Sequence, residues 1–383
     1  MENNKMKKVL HISSSWGSPT GIEGISMVIM NLFRNMDNTK IVFDIVSFND
    51  NTGMFDQELQ NSGGKVFRVI EKNKFKSWKK IINIINQNKY DAVVLHINMS
   101  YKGMAMWLVK IFTKVPVRIL HSHNSGVNNS KGDKIRSMIN KLTRRIASLS
   151  ATYLFACSSI AAKWTYDKKS FEKKGYVIKN GINYEKFLYS EQIRHKIREQ
   201  EGWKNDEMII GHIGRISYQK NQEFLIKIME SLSRKTNAKC VLIGSGGDSD
   251  VSSLDEKISK SSACELILKK GIVQNVNEYL QAFDCFVFPS RYEGLGITAI
   301  EAQAAGLPTI CSEFVPDEAK CSDLFIKLSL NDSSELWANK IIELVNNSAR
   351  SDMSEDIIKN GYDIKKVSCQ VFELIEGKYN AKK

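Results

Sequence analysis

Short apolar runs alternate with helix-like stretches along this sequence, and the alternation starts afresh near its middle. VLHIS at 9–13 precedes the helical pattern GISMVIMNLFRNM at 24–36, and apolar runs beginning at 41, 91, 117 and 152 repeat this order. Strands that alternate with helices of about 10–15 residues indicate parallel βαβ units. The sequence therefore predicts an α/β fold built from doubly wound parallel sheets.

The alternation restarts after the charged segment Tyr184–Asp206, with the runs MIIGHIG, KCVLIGSG, ELILKKGIV, CFVFPS and PTICSE. A chain of 383 residues also exceeds one ordinary core. We predict Rossmann-like domains at 1–183 and 184–364, a hinge near 180–204, and a helix at 365–383 that packs back on the first domain. The two domains are expected to face each other across a cleft, with ligands at the carboxyl ends of the strands.

Composition favours a cytoplasmic protein. No apolar run reaches 18 residues, so no membrane span is predicted. The basic N-terminus leads into an apolar run of only about five residues, which indicates a first strand rather than a signal peptide. The seven cysteines are scattered, with no CxxC spacing. Most lie in apolar runs, as reduced core cysteines do.

The positive charge is concentrated in the first half. Residues 1–180 carry 29 Lys/Arg and 12 Asp/Glu, a net +17, whereas the remainder carries −4 of the overall +13. Basic clusters lie at 72–80, 141–145 and 168–174. Solvated helix faces, an anionic membrane surface and nucleic acid remain alternatives. Trp78 beside the first cluster favours peripheral membrane contact, and no nucleic-acid motif accompanies the charge.

The segment Phe286–Pro308, FVFPSRYEGLGITAIEAQAAGLP, has the features of a ligand site. It predicts a buried strand, a glycine-broken loop and a helix. Glu293 precedes the helix and Glu301 lies inside it. The free amides of a helix start attract anions, while carboxylates beside it accept hydroxyl donors. This combination favours a ligand that contains both sugar and phosphate.

Spacing alone does not identify the site, because three other glutamate pairs lie eight residues apart, at 191/199, 199/207 and 335/343. Those pairs are typical of solvated helix faces. Gly294 and Gly296 instead allow close backbone approach. A charged Glu301 in so apolar a helix costs several kcal/mol unless it is partnered. We therefore expect Glu301 to have a partner.

The segment GRISYQKN at 214–221 follows the strand MIIGHI and leads into a helix. Arg215 and Lys220 are candidates to clamp a diphosphate, Arg as a bidentate fork and Lys as a point charge. The alternative is a pair of ordinary surface cations. The glycine and the position at a strand end favour the diphosphate.

The first half offers weaker candidates. His121 and His123 end a strand and point the same way, but no third ligand is near in sequence, so we predict no metal. The loop Ser14–Gly24, with Gly17, Gly21 and Gly24, is a candidate phosphate or acceptor loop. We interpret 244–250 as a turn and helix start, although it contains an Asp-x-Asp pair and a Gly-Ser-Gly-Gly run.

The sequence resembles the retaining family 4 glycosyltransferases of the GT-B fold, especially the branch that builds bacterial exopolysaccharide and capsule. The resemblance covers nearly the whole chain. It rests on 214–221, on GIVQNVNEYL at 271–280 and on 286–308, in this order, with HSHNS at 121–125 in support. It implies a nucleotide-sugar donor, expected to be a UDP-sugar, and a glycan or lipid-linked saccharide acceptor. No cofactor and no metal are expected.

The resemblance also implies roles for single residues. Arg215 and Lys220 would hold the donor diphosphate. Glu301 would bind the ribose hydroxyls, and Val273 would meet the base through its backbone. The transferred sugar and the distal phosphate would contact Glu293 and the amides of Gly294, Leu295 and Gly296.

In the first domain, the resemblance places His123 near the reacting face of the sugar. Gly17 and Gly24 would belong to a loop that closes over phosphate or acceptor. The family's usual Gly-Gly pair reads Glu23-Gly24 here, a departure within that loop. The expected catalytic set is Glu293, His123, Arg215 and Lys220.

Three alternatives remain from the sequence. A nucleotide-sugar epimerase of the same fold would share the sugar-diphosphate site but need no acceptor. A noncatalytic membrane-surface subunit would need neither, and a nucleic-acid binder would use the basic face. Neither the sugar, the acceptor nor the linkage is determined by these motifs.

Overall fold

The computed structural model describes residues 6–14, 16–17, 24–126 and 131–379. The chain divides into two compact units, which we call unit 1 and unit 2. Unit 1 comprises Met1–Gly181 and Asp363–Lys383, and unit 2 comprises Ile182–Tyr362. Among the helices of the described ranges, none combines the length and apolar character of a membrane span.

A parallel sheet forms the centre of unit 1. Within the described residues its strands are β1 (Lys7–Ser13), β2 (Ile41–Ser47), β3 (Val66–Arg68), β4 (Ala92–Ile97), β5 (Val117–Ser122), β6 (Tyr153–Ala156) and β7 (Gly175–Val177). They lie in the order β3-β2-β1-β4-β5-β6-β7. The winding therefore reverses between β1 and β4. Every residue of β2 and β4 is buried, as expected for central strands covered on both faces.

Helices connect these strands. They are α1 (Gly24–Arg34), α2 (Asp56–Asn61), α3 (Lys74–Asn88), α4 (Ser100–Gly103), α5 (Met106–Phe112), α6 (Lys131–Ser150), α7 (Ser159–Thr165) and α8 (Lys168–Lys174). Side-chain caps set several of their starts, since Asn73, Ser158 and Asp167 accept hydrogen bonds from first-turn amides.

Unit 2 is described throughout and contains a second parallel sheet. Its strands are β8 (Met208–Ile213), β9 (Ala238–Ile243), β10 (Ile267–Gly271), β11 (Cys285–Phe288), β12 (Thr309–Ser312) and β13 (Phe325–Leu328), in the order β10-β9-β8-β11-β12-β13. Its helices are α9 (Glu191–Glu201), α10 (Gln222–Leu232), α11 (Asp248–Ser259), α12 (Val276–Ala282), α13 (Ile297–Ala304), α14 (Ser334–Asn347) and α15 (Ser354–Lys359). The predicted α/β class with two doubly wound parallel sheets is thereby confirmed.

The chain returns to unit 1 with α16 (Ile364–Glu376). The apolar face of α16 joins the core that α1 and the sheet build, and Ser368 Oγ donates to Leu32 O at 3.4 Å. Gly377, at φ 74°, ends the helix in the left-handed region. Of the helix predicted at 365–383, residues 380–383 lie outside the described residues.

Two elements of unit 2 refine the prediction. The charged segment at 184–206, where the 191/199 glutamate pair indicates a solvated helix face, contains α9, whose exposed face is polar and whose Ile197 and Arg198 are buried. The strand β13 has only four residues at the sheet edge, and three of them are partly exposed. Short edge strands lack the long apolar run by which central strands are recognised.

Candidate active site

Two loops meet at the switch point of the unit 2 sheet. β8 and β11 are neighbours, and from them the sheet continues in opposite directions, through β9 and through β12. The loop 214–221 follows β8, and the loop 289–296 follows β11. Because both strands are parallel, the two loops emerge at the same sheet edge. This is where open α/β sheets bind their ligands.

An ion pair joins the two loops. Lys220 Nζ lies 2.7 Å from Glu293 Oε1, and the two side chains are only 17% and 7% exposed. The same ammonium lies 4.3 Å from the centre of the Phe288 ring, a cation–π distance. The cation predicted for phosphate and the carboxylate predicted for sugar are thus direct partners.

Backbone acceptors hold the two loops together. Gln219 Nε2 donates to Tyr292 O at 3.0 Å, and Arg291 N donates to Gln219 O at 2.8 Å. Asn221 Nδ2 donates to Pro289 O at 3.0 Å. Asn221 also has φ 58°, in the left-handed region that asparagine tolerates better than most residues. The position of Lys220 is therefore fixed from both sides.

A buried imidazole supports the first loop from beneath. His212 Nδ1 donates to Val287 O at 2.9 Å, and its Nε2 accepts from Gln222 Nε2 at 3.2 Å. Burial lowers the pKa of His212 to about 4, so the ring is neutral and fits this donor–acceptor pattern. Gln222 also donates to Arg215 O at 2.9 Å. These bonds tie the loop backbone to the central strands.

Glycine at 214 leaves room for the lysine. A Cβ at Gly214 would lie 3.3 Å from both Cδ and Cε of Lys220. Arg215 is exposed, and among the described residues no ion pair of its guanidinium occurs. Arg215 and Lys220 therefore share the strand end but differ in setting, one in water and one in a half-buried pair.

The helix α13 begins at the second loop. Gly296 has φ 87°, and a Cβ there would lie 3.3 Å from Phe288 and Val315, so both conformation and space favour glycine. Leu295 is buried beside it, and Gly294 completes the predicted sugar segment. The hydroxyls of Ser290 and Thr298 are buried without a hydrogen-bond partner in the described ranges. They are polar groups available to water or a ligand.

Glu301 lies on α13, half-buried. Loss of water around the carboxyl raises its pKa to about 8, and no cation contributes to this shift. Among the described residues no ion pair of Glu301 occurs. The carboxyl avoids the free-energy cost of burying a charge by keeping its proton.

The remaining predicted residues lie elsewhere. Val273 is half-buried, two residues after β10. His123 follows β5 in unit 1, and its ring contacts His96 and His121. Gly17 has φ 71°, and a Cβ there would lie 2.7 Å from Asn51 O.

Gly24 begins α1, where a Cβ would meet nothing within 4 Å. Of the predicted glycine loop, Ser15 and residues 18–23, including Gly21 and Glu23, lie outside the described residues.

Sequence reasoning missed the residues that position the pair: His212, Gln219, Asn221, Gln222 and Phe288. Most of them lie within or beside the motifs already singled out. The sequence signal that could have found them is the position of polar residues at strand ends and helix starts, where their side chains typically form hydrogen bonds with the backbone.

The region of the chain that matches a known family contains both loops of the candidate site. Residues 193–364 match the family model described as Glycosyl transferases group 1. The chain is similar to the putative glycosyltransferase EpsF of Bacillus subtilis (strain 168), with 29% identity over 369 residues and 94% of each protein covered. It is also similar to the capsular polysaccharide biosynthesis glycosyltransferase CapH of Staphylococcus aureus, with 25% identity over 382 residues, 97% of this chain and 99% of that protein.

A solved structure shares the fold. The crystal structure of Anabaena HepE in complex with UDP-glucose has a TM-score of 0.79 and 18% identity, and the match covers 97% of this chain and 99% of that one. The likeness confirms the predicted GT-B type of fold. The matched region and the two relatives confirm the predicted resemblance to glycosyltransferases of bacterial exopolysaccharide and capsule synthesis.

Proposed function

We propose that this chain, whose residues 193–364 match the model of group 1 glycosyl transferases, is a glycosyltransferase that moves a sugar from a UDP-sugar to a glycan or lipid-linked saccharide during polysaccharide biosynthesis. The Lys220–Glu293 pair at the unit 2 switch point carries the proposal. A lysine offers donors to diphosphate oxygens, and a carboxylate accepts from sugar hydroxyls. A donor that contains both groups can be held by the two partners together.

The uridine side of the proposal rests on the second loop and α13. Near neutral pH a carboxyl with a pKa of about 8 is largely protonated, so Glu301 can both donate to and accept from ribose hydroxyls. Val273 is proposed to meet the base through its backbone. The UDP-glucose bound to the Anabaena protein makes UDP-sugars the first donors to test.

The proposed reaction retains the anomeric configuration. The bond from the sugar to the diphosphate breaks, and the electron pair leaves with a diphosphate oxygen. That oxygen takes the proton of the acceptor hydroxyl, which attacks from the same face. Lys220 and Arg215 stabilise the charge that develops on the leaving group, a contribution of about 10²–10³ in rate. His123 contacting the sugar stays a prediction, as does transfer without a metal or cofactor.

A transfer assay tests the proposal. The purified chain, UDP-sugars and a membrane extract containing lipid-linked saccharides should release UDP and form a glycosylated product. Lys220→Met and Glu293→Gln should each lower transfer by about 10²–10³. Lys235→Met is the matched control, since Lys235 forms an exposed pair with Glu335 at 2.9 Å in the same unit. Epimerised donor without transfer would contradict a transferase and favour an epimerase.

We further propose that unit 1 binds the membrane that carries the acceptor. The helix α6 exposes an apolar stripe although its opposite face is packed. The exposed fractions of Ile135, Met138, Leu142 and Leu149 are 57%, 59%, 70% and 49%. Their spacing of three, four and seven residues places them on one side of the helix. Soluble surfaces rarely leave such a stripe uncovered.

The opposite face of α6 is firmly held. Asn140 is buried and its Nδ2 donates to Trp164 O at 2.7 Å. Trp107 Nε1 of α5 donates to Ile146 O at 2.9 Å. The stripe therefore belongs to a helix fixed in the fold, and the neighbouring α5 also exposes Ile111 and Phe112.

The charge beside the apolar stripe of α6 favours an anionic membrane as the surface that covers the stripe. Lys134, Lys141 and Arg145 are exposed, and their spacing places them along one flank of the stripe. Each basic residue near an anionic surface contributes about 1 kcal/mol. On α3, Phe75 is 76% exposed within the basic cluster at 72–80, whereas Trp78, from which membrane contact was predicted, is half-buried.

Vesicle co-sedimentation tests this surface. Binding should require phosphatidylglycerol in phosphatidylcholine vesicles and should weaken from about 50 to about 500 mM salt. The triple variant of Lys134, Lys141 and Arg145 to Ala should lower partitioning about 100-fold. Leu142→Asp should weaken vesicle binding. Leu336→Asp should not, because Leu336 is an exposed leucine on α14, in unit 2. Self-association through the stripe, seen by light scattering, with no vesicle binding would contradict the proposal.

A further inference from the structure

Four of the six histidines in this chain converge on one face of the unit 1 sheet. His11 lies in β1, His96 in β4 and His121 in β5, with His123 just after β5. β1, β4 and β5 are adjacent, and His96 and His121 are direct register partners. All four rings lie at the carboxyl end of the sheet, beside its switch point between β1 and β4. Residues far apart in sequence are brought together by the strand order alone.

The imidazoles form a compact group. His11 Nδ1 lies 2.9 Å from His96 Nε2, and His96 Nδ1 lies 2.8 Å from His123 Nε2. The ring centres of His121 and His123 are 4.1 Å apart. One ring nitrogen from each of His96, His121 and His123 lies within 4.8 Å of the other two. Over the described ranges, no other group of three His, Cys, Asp or Glu has this geometry.

Two nitrogens of the group lack partners. His11 and His121 are 3% and 2% exposed, and their Nε2 atoms have no hydrogen-bond partner within the described part of the chain. An unpaired buried polar atom costs about 1–3 kcal/mol. Each neutral imidazole carries one N–H donor and one acceptor nitrogen, so the outermost rings of the group can be left with a nitrogen that no other ring pairs. Something with affinity for imidazole lone pairs would satisfy them.

We propose that this cluster binds a zinc-class divalent transition metal ion, with His96, His121 and His123 as ligands. Three histidines and one open position form a common zinc arrangement. Tetrahedral Zn–N bonds of about 2.0–2.1 Å place the nitrogens about 3.3 Å apart. The nitrogens here lie between hydrogen-bond distance and 4.8 Å, so side-chain rotation suffices. His123 is half-buried just after β5.

His11 is not proposed as a ligand; it is proposed to orient the ligand His96 through a hydrogen bond. The hydrogen bond to His11 engages His96 Nε2, which leaves His96 Nδ1 as the ligand atom. Metal-binding histidines usually hold their second ring nitrogen in such a bond, and it fixes their orientation.

This inference revises the expectation that His121 and His123 bind no metal, which assumed that they have no third ligand; transfer without a metal stays a prediction. The third ligand, His96, comes from β4, which lies earlier in sequence than β5 but is adjacent to it in the sheet. The ion takes no step in the proposed sugar transfer. Its occupancy is measured without any donor, so failure of the metal site and failure of the transferase proposal are distinguishable.

Zinc titration of the full chain, purified without a polyhistidine tag, tests the site. With a chromophoric chelator as competitor, we expect one Zn²⁺ per chain and a rise in melting temperature on binding. His121→Ala and His123→Ala should each weaken zinc binding at least about 100-fold, and His11→Asn about 10–100-fold. X-ray absorption should show nitrogen and oxygen ligands but no sulfur.

Matched controls exclude the other zinc-binding side chains. His195 is exposed and lies 3.0 Å from Glu191 on α9, and Cys369 is an exposed thiol. His195→Ala and Cys369→Ser should bind zinc as the wild type does. Circular dichroism checks folding, and the half-buried His123 offers the mildest of the ligand substitutions. The proposal is overturned if no stoichiometric zinc binds, or if folded His123→Ala binds it with unchanged affinity.

Discussion

Glu301→Gln should stabilise unit 2 in a pH-dependent way. The wild-type carboxyl has its pKa raised from 4.5 to about 8 by desolvation. Between these pH values the folded chain holds a proton that the unfolded chain has lost. Wild-type stability therefore falls as pH rises through this window, and it stays low above about pH 8. The variant lacks this fall because its neutral amide does not titrate.

The size of the effect follows from the two pKa values. A rise from 4.5 to about 8 corresponds to about 4 kcal/mol of lost stability between about pH 5 and pH 9. The side chain is only half-buried, and contact with water reduces this to about 2 kcal/mol. For a unit of this size that is a difference in melting temperature of about 4–8 °C.

Calorimetric unfolding at about pH 5, 7 and 9, without nucleotide, measures the difference. We expect Glu301→Gln and wild type to melt nearly together at the lowest pH and to separate at the highest, with the variant more stable. Glu199→Gln, which neutralises an exposed glutamate on α9 in the same unit, is the control and should show no such separation. A difference that is constant with pH, or a variant less stable at the highest pH, would refute the reasoning.

Three further outcomes follow from the site and its loops. Lys220→Met removes the cation that lies 2.7 Å from the buried carboxylate of Glu293 and should destabilise unit 2 by about 3 kcal/mol in urea titrations, with partial recovery on adding Glu293→Gln. Gly17→Ala should lower the melting temperature because of its positive φ and the nearby carbonyl, whereas Gly24→Ala should not. Gly214→Ala crowds Lys220 and should weaken UDP binding about tenfold at nearly unchanged stability, measured by calorimetric titration.

Much of the fold was predictable because central parallel strands are apolar on both faces. The apolar run at β11 is continuous, and the runs at β2 and β4 are interrupted only by Asp44 and by His96. The length of these runs and the turns that bound them identify them as strands. The edge strand β13 was not predicted, because only one of its four residues is buried. The burial of Ile197 and Arg198 on α9 depends on neighbours that local composition does not reveal.

The sequence identified individual residues of the site but not which of them contact each other. Glycines and polar residues at strand ends singled out Lys220 and Glu293, yet their direct pairing across 73 residues depends on β8 and β11 being neighbours. Glu301 was expected to have a partner and has no ion-pair partner in the described ranges, because a lone carboxyl can keep its proton instead. The third and fourth histidines beside His123 were invisible for the same topological reason.

The Lys220–Glu293 pair is proposed to mark the nucleotide-sugar site. The most direct test is calorimetric titration of UDP into three proteins: the wild type, Lys220→Met and the control Lys235→Met. Loss of one charged phosphate contact of about 2–3 kcal/mol should weaken binding about 100-fold in Lys220→Met. Lys235→Met should bind UDP as the wild type does. Equal UDP affinity in all three folded proteins would contradict the assignment.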